Sequence, residues 1–366
     1  MGAATAEARA RALALHRRVV VLDTHSHFLT NAHALGRDFT RRHRPPLLWN
    51  PLRNQVDLPR LRAAGVAGTV FTVFASSLNR ELSTWRACRR TLDTFDRLVA
   101  RAAPQVVRAD TAAEVRHAHA EGRFAAMPGV EGGHVLGRRL ERLVALRDRG
   151  VRWFTLTHFL ANRICDGHLG PRIHGGLSAF GRAVLDLCVE LGVVVDLAHA
   201  SERTFYQALE HLPRPAVVTH TGLRLGRRSQ RFLTDDQLRA LAAHGGAVGV
   251  LLCPWYLEPR GLLTDLDRAV DVHLHIAERI GPEHLLLGTD MDGDIWLPRG
   301  MRDAADLPEL TARLLARGFG EAALEGLLGA NALRILEAWE APGTAPGPAR
   351  RGSGAASPPR CGPSGA

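Results

Sequence analysis

The sequence predicts an α/β protein whose strands close into a (β/α)8 TIM barrel, and three observations support this prediction. Eight short apolar runs have the length of buried strands. Most of the intervals between them show the period of amphipathic helices, and strands that alternate with helices form a parallel sheet. Several of the runs end on a residue type that binds metal ions. The runs lie at residues 19–25, 66–74, 125–131, 151–157, 193–199, 216–220, 247–253 and 284–290.

Helix-boundary signals fit the intervals between these strands. Residues 111–114 and 234–237 have the form of capping boxes, each of which opens a helix. The segment 176–192 carries an apolar stripe on one face and ends at Gly192, a residue that often terminates helices. The stripe consists of Phe180, Val184, Leu187 and Leu191.

The chain of 366 residues divides into three parts by composition. Residues 1–18 read as an N-terminal helical extension, and residues 19–341 read as one metallohydrolase barrel. Within the barrel, residues 37–54 have no clean period and would form a long basic loop over the catalytic face. Residues 342–366 are rich in Pro, Gly, Ser and Arg, so we expect a disordered tail that buries no core.

Composition excludes several classes of protein. The formal net charge is +10 and every cation is an arginine, but the basic pairs are scattered without interleaved aromatic residues, which argues against nucleic-acid binding. A site that attracts anionic substrates is the alternative use of this charge. Five cysteines without CxxC spacing predict no disulfide framework, and Cys188 and Cys253 read as core residues.

Targeting signals are not recognisable in the sequence. The first residues lack the pattern of a signal peptide or a myristoylation site, and no apolar run reaches the ~20 residues that a membrane span needs. We therefore expect a cytoplasmic protein that does not bind membranes.

Polar residues at the ends of the predicted strands suggest a metal centre. The ends of parallel barrel strands open onto one face, so side chains distant in sequence would converge there. Their types suit a pair of borderline divalent ions, two zinc ions per chain or a similar metal. The metal-ligand candidates are His25, His27, Glu131, His199 and His220, and Asp290 ends a further run.

Each of these residues has a simpler explanation when it is taken alone. In an ideal strand His25 and His27 would face opposite sides of the sheet, although the bend at the strand end allows both to reach one metal. A single histidine is more often a hydrogen-bonded core residue, and Glu131 alone could cap a helix. Asp196 is expected to support the site or the core, and there it needs a hydrogen-bonding partner. The joint pattern favours metal binding.

Three further residues are candidates for chemistry. Asp290 would act as the general base beside an activated water, with Asp292 as its competitor and a simple turn as the alternative for both. His158, which ends the run WFTLTH, could stabilise an oxyanion. Arg231 could hold a substrate carboxylate, or be an ordinary surface arginine.

Two other HxH pairs are rejected as metal ligands. They lie in helical patterns, where residues two apart do not share a face. The pairs are His117 with His119 and His273 with His275.

Taken together, the segments resemble the membrane (renal) dipeptidase family, the M19 metallopeptidases of the amidohydrolase-like superfamily. The resemblance runs in family order over residues 19–339 and includes DTHSH, GVEGGH, WFTLTH, GLSAFGRAVLDLCVELGVVVDLAHASERTF, PAVVTH, RFLTDDQLRALAAHGGAVGV and GTDMDG. It implies a (β/α)8 barrel with a binuclear zinc centre, in which a metal-bridging hydroxide attacks the amide bond of a dipeptide.

The resemblance also implies a role for each matching residue. By this resemblance His25 binds the first metal, Glu131 bridges the two metals, and His199 and His220 bind the second metal. Asp290 matches the residue that acts as acid and base. His158 matches the residue that contacts the scissile carbonyl and its tetrahedral intermediate, and Arg231 matches the residue that receives the substrate carboxylate.

The chain departs from the family pattern at three places. His27 stands where the family has aspartate, Phe232 follows Arg231 where the family usually has asparagine, and LLCPWY at 251–256 differs from the usual pattern. We expect these departures to affect substrate specificity more than the metal chemistry. We therefore expect a dipeptide or acylamino acid as the small-molecule substrate and allow for a homodimer.

Two alternatives to dipeptide hydrolysis stay open. The same centre could hydrolyse an acylamino acid, a lactam or a lactone. A catalytically inactive barrel that serves as a binding protein is the alternative from another class, and the intact set of ligand candidates argues against it.

Overall fold

Eight parallel strands form a barrel, which confirms the predicted fold class. The computed structural model describes residues 5–43, 54–74, 81–259, 261 and 263–340. Most of the loop expected at 37–54 and the whole tail expected at 342–366 lie outside these residues. The strands are β1 (Leu22–Ser26), β2 (Gly68–Phe74), β3 (Val106–Arg108), β4 (Phe124–Glu131), β5 (Trp153–Thr155), β6 (Val194–Asp196), β7 (Val217–Thr221), β8 (Ala247–Val250) and β9 (Leu285–Leu286).

The barrel closes between β1 and the segment that follows β9. The strand order is β1-β2-β4-β5-β6-β7-β8-β9, all parallel. Backbone hydrogen bonds then run from Thr24 N to Leu287 O (2.8 Å) and from Asp290 N to His25 O (3.0 Å). This closure brings the first and last predicted site segments side by side.

One strand was not predicted from the sequence. β3 pairs with the first half of β4, from Phe124 to Ala126, whereas β5 pairs with its last three residues, from Gly129 to Glu131. A three-residue strand is too short to show an alternating pattern, which is why the sequence did not reveal it. β3 therefore lies between β4 and β5 at the amino-terminal end of β4. The carboxyl-terminal end of β4 remains paired with β2 on one side and with β5 on the other.

Helices surround the barrel at most of the predicted intervals. Both capping boxes are present, at Thr111 and Thr234. The helices are α1 (Ala6–Arg18), α2 (Phe28–Leu35), α3 (Leu58–Ala63), α4 (Glu81–Ala102), α5 (Ala112–Ala120), α6 (Glu141–Asp148), α7 (Ala179–Leu191), α8 (Glu202–His211), α9 (Asp235–Ala243), α10 (Pro254–Leu257), α11 (Leu266–Ile280), α12 (Leu307–Ala316), α13 (Glu321–Glu325) and α14 (Asn331–Glu340). None of the helices in the described part of the chain is long and apolar enough to cross a membrane.

Helix α7 ends as predicted, and its most deeply buried face lies next to the predicted stripe. Gly192 has φ 67° and follows the last helical residue, as expected for a left-handed C-terminal cap. Val184 of the predicted stripe is fully buried, as are Leu185 and Cys188 beside it, and the other three stripe residues are partly buried against the core. The reason is that α7 packs against both β6 and its neighbouring helices, so the stripe lies at the edge of the contact.

The cysteines and the rejected histidine pairs lie where the sequence indicated. The four described cysteines are buried and free of disulfides, in agreement with the prediction. His117 and His119 lie on α5, and His273 and His275 lie on α11. Neither pair belongs to a group of metal-ligand side chains within the described residues.

Candidate metal centre and active site

The predicted metal ligands and Asp290 converge at the carboxyl end of the barrel. Their ligand atoms form two groups, in each of which all atoms lie within 4.8 Å of one another, and a third group of His25, Asp196 and His220 shares one histidine with each; every residue in these groups is buried. The first group is His25, His27 and Asp290, and the second is Glu131, His199 and His220.

His25 and His27 face the same point although they are two residues apart. β1 ends at Ser26, and His27 already occupies the position that precedes α2. Because the chain leaves the strand there, the alternation of strand side chains is broken, and the two Nε2 atoms lie 3.2 Å apart. The two imidazoles therefore converge on one point, as the bend at the strand end was expected to allow.

Glu131 lies between the two pairs of histidines. Its Oε1 is 3.1 Å from His199 Nε2 and 3.4 Å from His220 Nε2, and its Oε2 is 3.3 Å from His27 Nε2. The Nε2 atoms of His199 and His220 are 3.0 Å apart. Oε1 thus faces His199 and His220, with His25 Nε2 3.7 Å away, and Oε2 faces His27, so the carboxylate lies between the two pairs, where a bridging ligand would be.

Unusual backbone conformations direct several of these side chains. β6 ends at Asp196 and β9 at Leu286, so His199 and Asp290 lie in loops rather than at the strand ends that the sequence predicted. Both have left-handed backbones, with φ of 65° and 58°. Such conformations cost free energy for residues with a Cβ and are concentrated at functional sites.

A buried hydrogen-bond network fixes the tautomer of His220. Asp196, as expected, has partners: Oδ1 accepts from the amides of Ala198 and Thr219, and Oδ2 accepts from the hydroxyls of Thr155 (2.6 Å) and Thr219 (2.7 Å). Thr219 uses its only hydroxyl hydrogen in this bond, so it must accept from His220 Nδ1, 2.9 Å away. Nε2 of His220 therefore keeps a lone pair for a metal.

The charges around Glu131 suit metal binding. Burial opposes its ionisation, but His25, His158, His199 and His220 hold the pKa of Glu131 well below its usual value. Burial lowers the pKa of His220 to about 4 and the pKa of His199 well below 6.5. Both imidazoles are consequently neutral at physiological pH, as metal ligands must be.

The spacing of the ligand atoms fits zinc. Two ligand atoms about 2.0–2.1 Å from a tetrahedral zinc ion lie about 3.3 Å apart. The nitrogen pairs His25–His27 and His199–His220 are separated by 3.2 and 3.0 Å. Glu131 Oε2 is buried and makes no hydrogen bond within the described residues. A cation between each pair would satisfy these atoms.

Asp290, and not Asp292, lies beside the imidazoles. Asp290 Oδ1 is 3.2 Å from His27 Nε2, and despite burial this hydrogen bond and the nearby imidazoles hold the pKa of Asp290 below its usual value. Asp292 instead makes two hydrogen bonds with Gln55. The backbone amide of Gln55 donates to Asp292 Oδ1 (2.7 Å), and the side-chain Oε1 of Gln55 accepts from the backbone amide of Asp292 (2.9 Å). The geometry therefore favours Asp290 for proton transfer at the centre.

His158 and Arg231 lie in the same cavity as these residues. The His158 ring is 4.6 Å from that of His199, and burial lowers the pKa of His158, so the ring is neutral. Arg231 is only 4% exposed, and none of its guanidinium nitrogens makes a hydrogen bond to any described residue. An unpaired buried guanidinium is costly, so this arginine is well placed to bind an anion that enters the cavity.

The cavity also contains residues that the sequence did not single out. It has a volume of about 460 Å³, within the range of small-molecule sites. Its additional aromatic lining consists of Phe74, Phe159, Trp255, Tyr256 and Trp296. The departure noted at residues 251–256 includes only Trp255 and Tyr256 of this set. The sequence could not connect them with residues 295 and 296, because no spacing rule relates the two segments.

The chain is similar to known proteins over most of its length. Residues 9–345 match the sequence model of the membrane dipeptidase family, peptidase family M19. Dipeptidase aclJ from Aspergillus oryzae is 32% identical over 298 residues, which cover 78% of this chain and 70% of that protein. The probable dipeptidase PvdM from Pseudomonas aeruginosa has a TM-score of 0.84 at 19% identity, with 92% of this chain and 99% of that chain covered.

A second solved structure shares the fold. It is a metallo peptidase from Rhodobacter sphaeroides, liganded with a phosphinate mimic of the dipeptide L-Ala-D-Ala. The TM-score is 0.79 at 23% identity, and the match covers 87% of this chain and 99% of that chain.

Proposed function

We propose that this chain, which belongs to the membrane dipeptidase family (peptidase family M19), hydrolyses dipeptides at a pair of zinc ions in the mouth of its barrel. Metal-dependent dipeptide hydrolysis is the activity of the family. The identity and number of the ions are our proposal. The observation that carries it is the position of Glu131, with one oxygen toward His27 and the other toward His199 and His220.

The residues divide into two ligand sets that share one carboxylate. His25, His27 and Glu131 would hold the first ion, and His199, His220 and Glu131 would hold the second. When bound, the ions supply Lewis acidity that acidifies water and polarises the amide carbonyl.

Three residues would act on the substrate. Arg231 binds the C-terminal carboxylate, which satisfies its unpaired guanidinium and orients the dipeptide. Neutral His158 donates a hydrogen bond to the carbonyl oxygen as negative charge develops on it. Asp290 takes the proton of the attacking water and passes it to the amide nitrogen, so that the C–N bond breaks to give an amine and a carboxylic acid.

We further propose that the protein acts in the cytoplasm on a small-molecule substrate, without nucleic-acid or membrane partners. The scattered arginines and the absence of a membrane-spanning helix among the described residues support this proposal. Homodimerisation is compatible with it.

A substrate panel with and without a chelator tests the activity. We expect hydrolysis of dipeptides that have a free C-terminal carboxylate, weaker hydrolysis of acylamino acids, little hydrolysis of lactones, and loss of all of these with the chelator. Faster turnover of a lactone or lactam than of any dipeptide would favour the alternative hydrolase activity. No turnover of any compound by the zinc-loaded protein would favour an inactive barrel.

A further inference from the structure

We infer that the cavity contains an apolar pocket for the side chain of the substrate's C-terminal residue, and that the enzyme prefers dipeptides with a bulky apolar residue there. This inference rests on the proposed function, because it takes Arg231 as the receptor of the C-terminal carboxylate. It adds a substrate class and the residues that select it.

One wall of the cavity is apolar and separate from the main core. Leu251, Cys253 and Ile295 form a small buried cluster of their own, and Tyr256 packs against it. Cys253, Tyr256 and Ile295 also line the cavity. The cluster thus supports a surface that faces the substrate rather than the barrel interior.

This wall adjoins the proposed carboxylate receptor. The guanidinium carbon of Arg231 lies 5.1 Å from the centre of the Tyr256 ring. The carboxylate and the side chain of an amino acid are attached to the same Cα. A substrate whose carboxylate pairs with Arg231 therefore places its C-terminal side chain within reach of the wall that contains Tyr256.

Two tryptophans extend the wall and are exposed in the free protein. Trp255 is 54% exposed and Trp296 is 42% exposed, and both line the cavity. Large aromatic side chains gain most from burial and offer rigid contact surfaces, so exposure of two at one cavity favours an apolar ligand. A substrate side chain that contacts either tryptophan would remove apolar surface from water.

A second pair of aromatic residues lies beside His158 and belongs to another part of the substrate. The rings of Phe74 and Phe159 are 4.8 and 4.0 Å from the His158 ring. If His158 contacts the scissile carbonyl, these rings are near the N-terminal residue. The two positions of the dipeptide can therefore be tested separately.

The test compares kcat/KM for glycyl-X and X-glycine dipeptides in which X is glycine, alanine, leucine or phenylalanine. We expect kcat/KM to rise at least about tenfold from glycyl-glycine to glycyl-phenylalanine, the scale of discrimination by an apolar pocket. Trp255→Ala and Trp296→Ala should remove most of this rise, so that kcat/KM falls much more for glycyl-phenylalanine than for glycyl-glycine. Trp255→Phe should retain it. Leu169→Ala is the control, because Leu169 is an exposed apolar residue that does not line the cavity.

The outcomes separate this inference from the proposed function. Hydrolysis of all dipeptides with no preference for a bulky C-terminal residue would overturn the pocket and leave the dipeptidase intact. Equal losses on glycyl-glycine and glycyl-phenylalanine in both tryptophan variants would also overturn it, because the tryptophans would then act on the fold. No hydrolysis of any dipeptide would refute the proposed function itself.

Discussion

His27 Nε2 lies 3.2 Å from Asp290 Oδ1, and this contact joins the first and last strand segments of the barrel at the metal centre. Burial would lower the pKa of His27, but the adjacent carboxylates of Asp290 and Glu131 raise it to about 10. The two carboxylates thus favour a positive charge at this point. A divalent ion would supply that charge and would leave His27 as a neutral ligand.

His27→Ala is expected to lose the first metal and most of the activity, whereas His27→Asp should retain two metals with altered affinity. Imidazole is a good zinc ligand, and the aspartate restores the residue type that the family has at this position. Elemental analysis of the purified variants measures the metal content independently of turnover. One metal in the native protein, unchanged in His27→Ala, would show that His27 is not a ligand.

Asp290→Asn is expected to keep the fold and the metals but to lose ~10²–10⁴-fold in kcat. The amide has nearly the same shape, but it cannot accept a proton from water and return it to the amine. Steady-state kinetics together with metal analysis distinguish this effect from loss of metal. A decrease of less than about tenfold would exclude Asp290 as the proton shuttle, and Asp292→Asn would be examined next.

Arg231→Ala is expected to raise KM for dipeptides with a free C-terminal carboxylate and to change little for their amidated analogues. A hydrogen bond to a charged group contributes roughly 1.5–3 kcal/mol, which corresponds to about 10- to 150-fold in binding. The ratio of kcat/KM for each acid and its amide measures the effect. If both substrate types lose activity equally, the arginine has a structural role.

The buried His16 is expected to make the stability of the protein decrease in mild acid. Its ring lies between Ala64 O and Thr311 Oγ1, both at 2.7 Å, and burial lowers its pKa to about 4. The unfolded chain binds the proton near pH 6.5, so as pH falls from there to about 4 the folded state loses up to about 3 kcal/mol from this group. Below that window the contribution is fully lost.

His16→Gln should therefore reduce the change in unfolding free energy between neutral and mildly acidic pH. Urea denaturation at both pH values measures this change, and His117→Gln on the exposed face of α5 serves as the control. A pH dependence in His16→Gln as steep as that of the native protein would contradict the assignment.

The convergence of the candidate metal ligands could be predicted because barrel topology makes distant strand ends neighbours. His25, Glu131 and His220 needed only this rule and their residue types. The local conformation could not be predicted in the same way. His199 and Asp290 lie beyond the paired strands in left-handed backbones, because the loops that carry them depend on tertiary contacts.

The surroundings of the centre were least visible in the sequence. In the sequence Thr219 looks like any other strand residue. Its part in fixing the tautomer of His220 follows only from the distances between its hydroxyl and the side chains of Asp196 and His220. The apolar wall brings Tyr256 and Ile295 together from separate loops, and no periodicity connects them.

Titration of the metal-free protein with zinc, with bound zinc and dipeptide hydrolysis measured on the same samples, tests the central claim most directly. We predict that activity rises until two zinc ions are bound per chain and then stays constant. The Glu131→Gln variant should bind fewer ions and remain inactive, because it lacks the shared carboxylate. Full activity without bound metal, or activity that saturates at one ion per chain, would contradict the two-metal account.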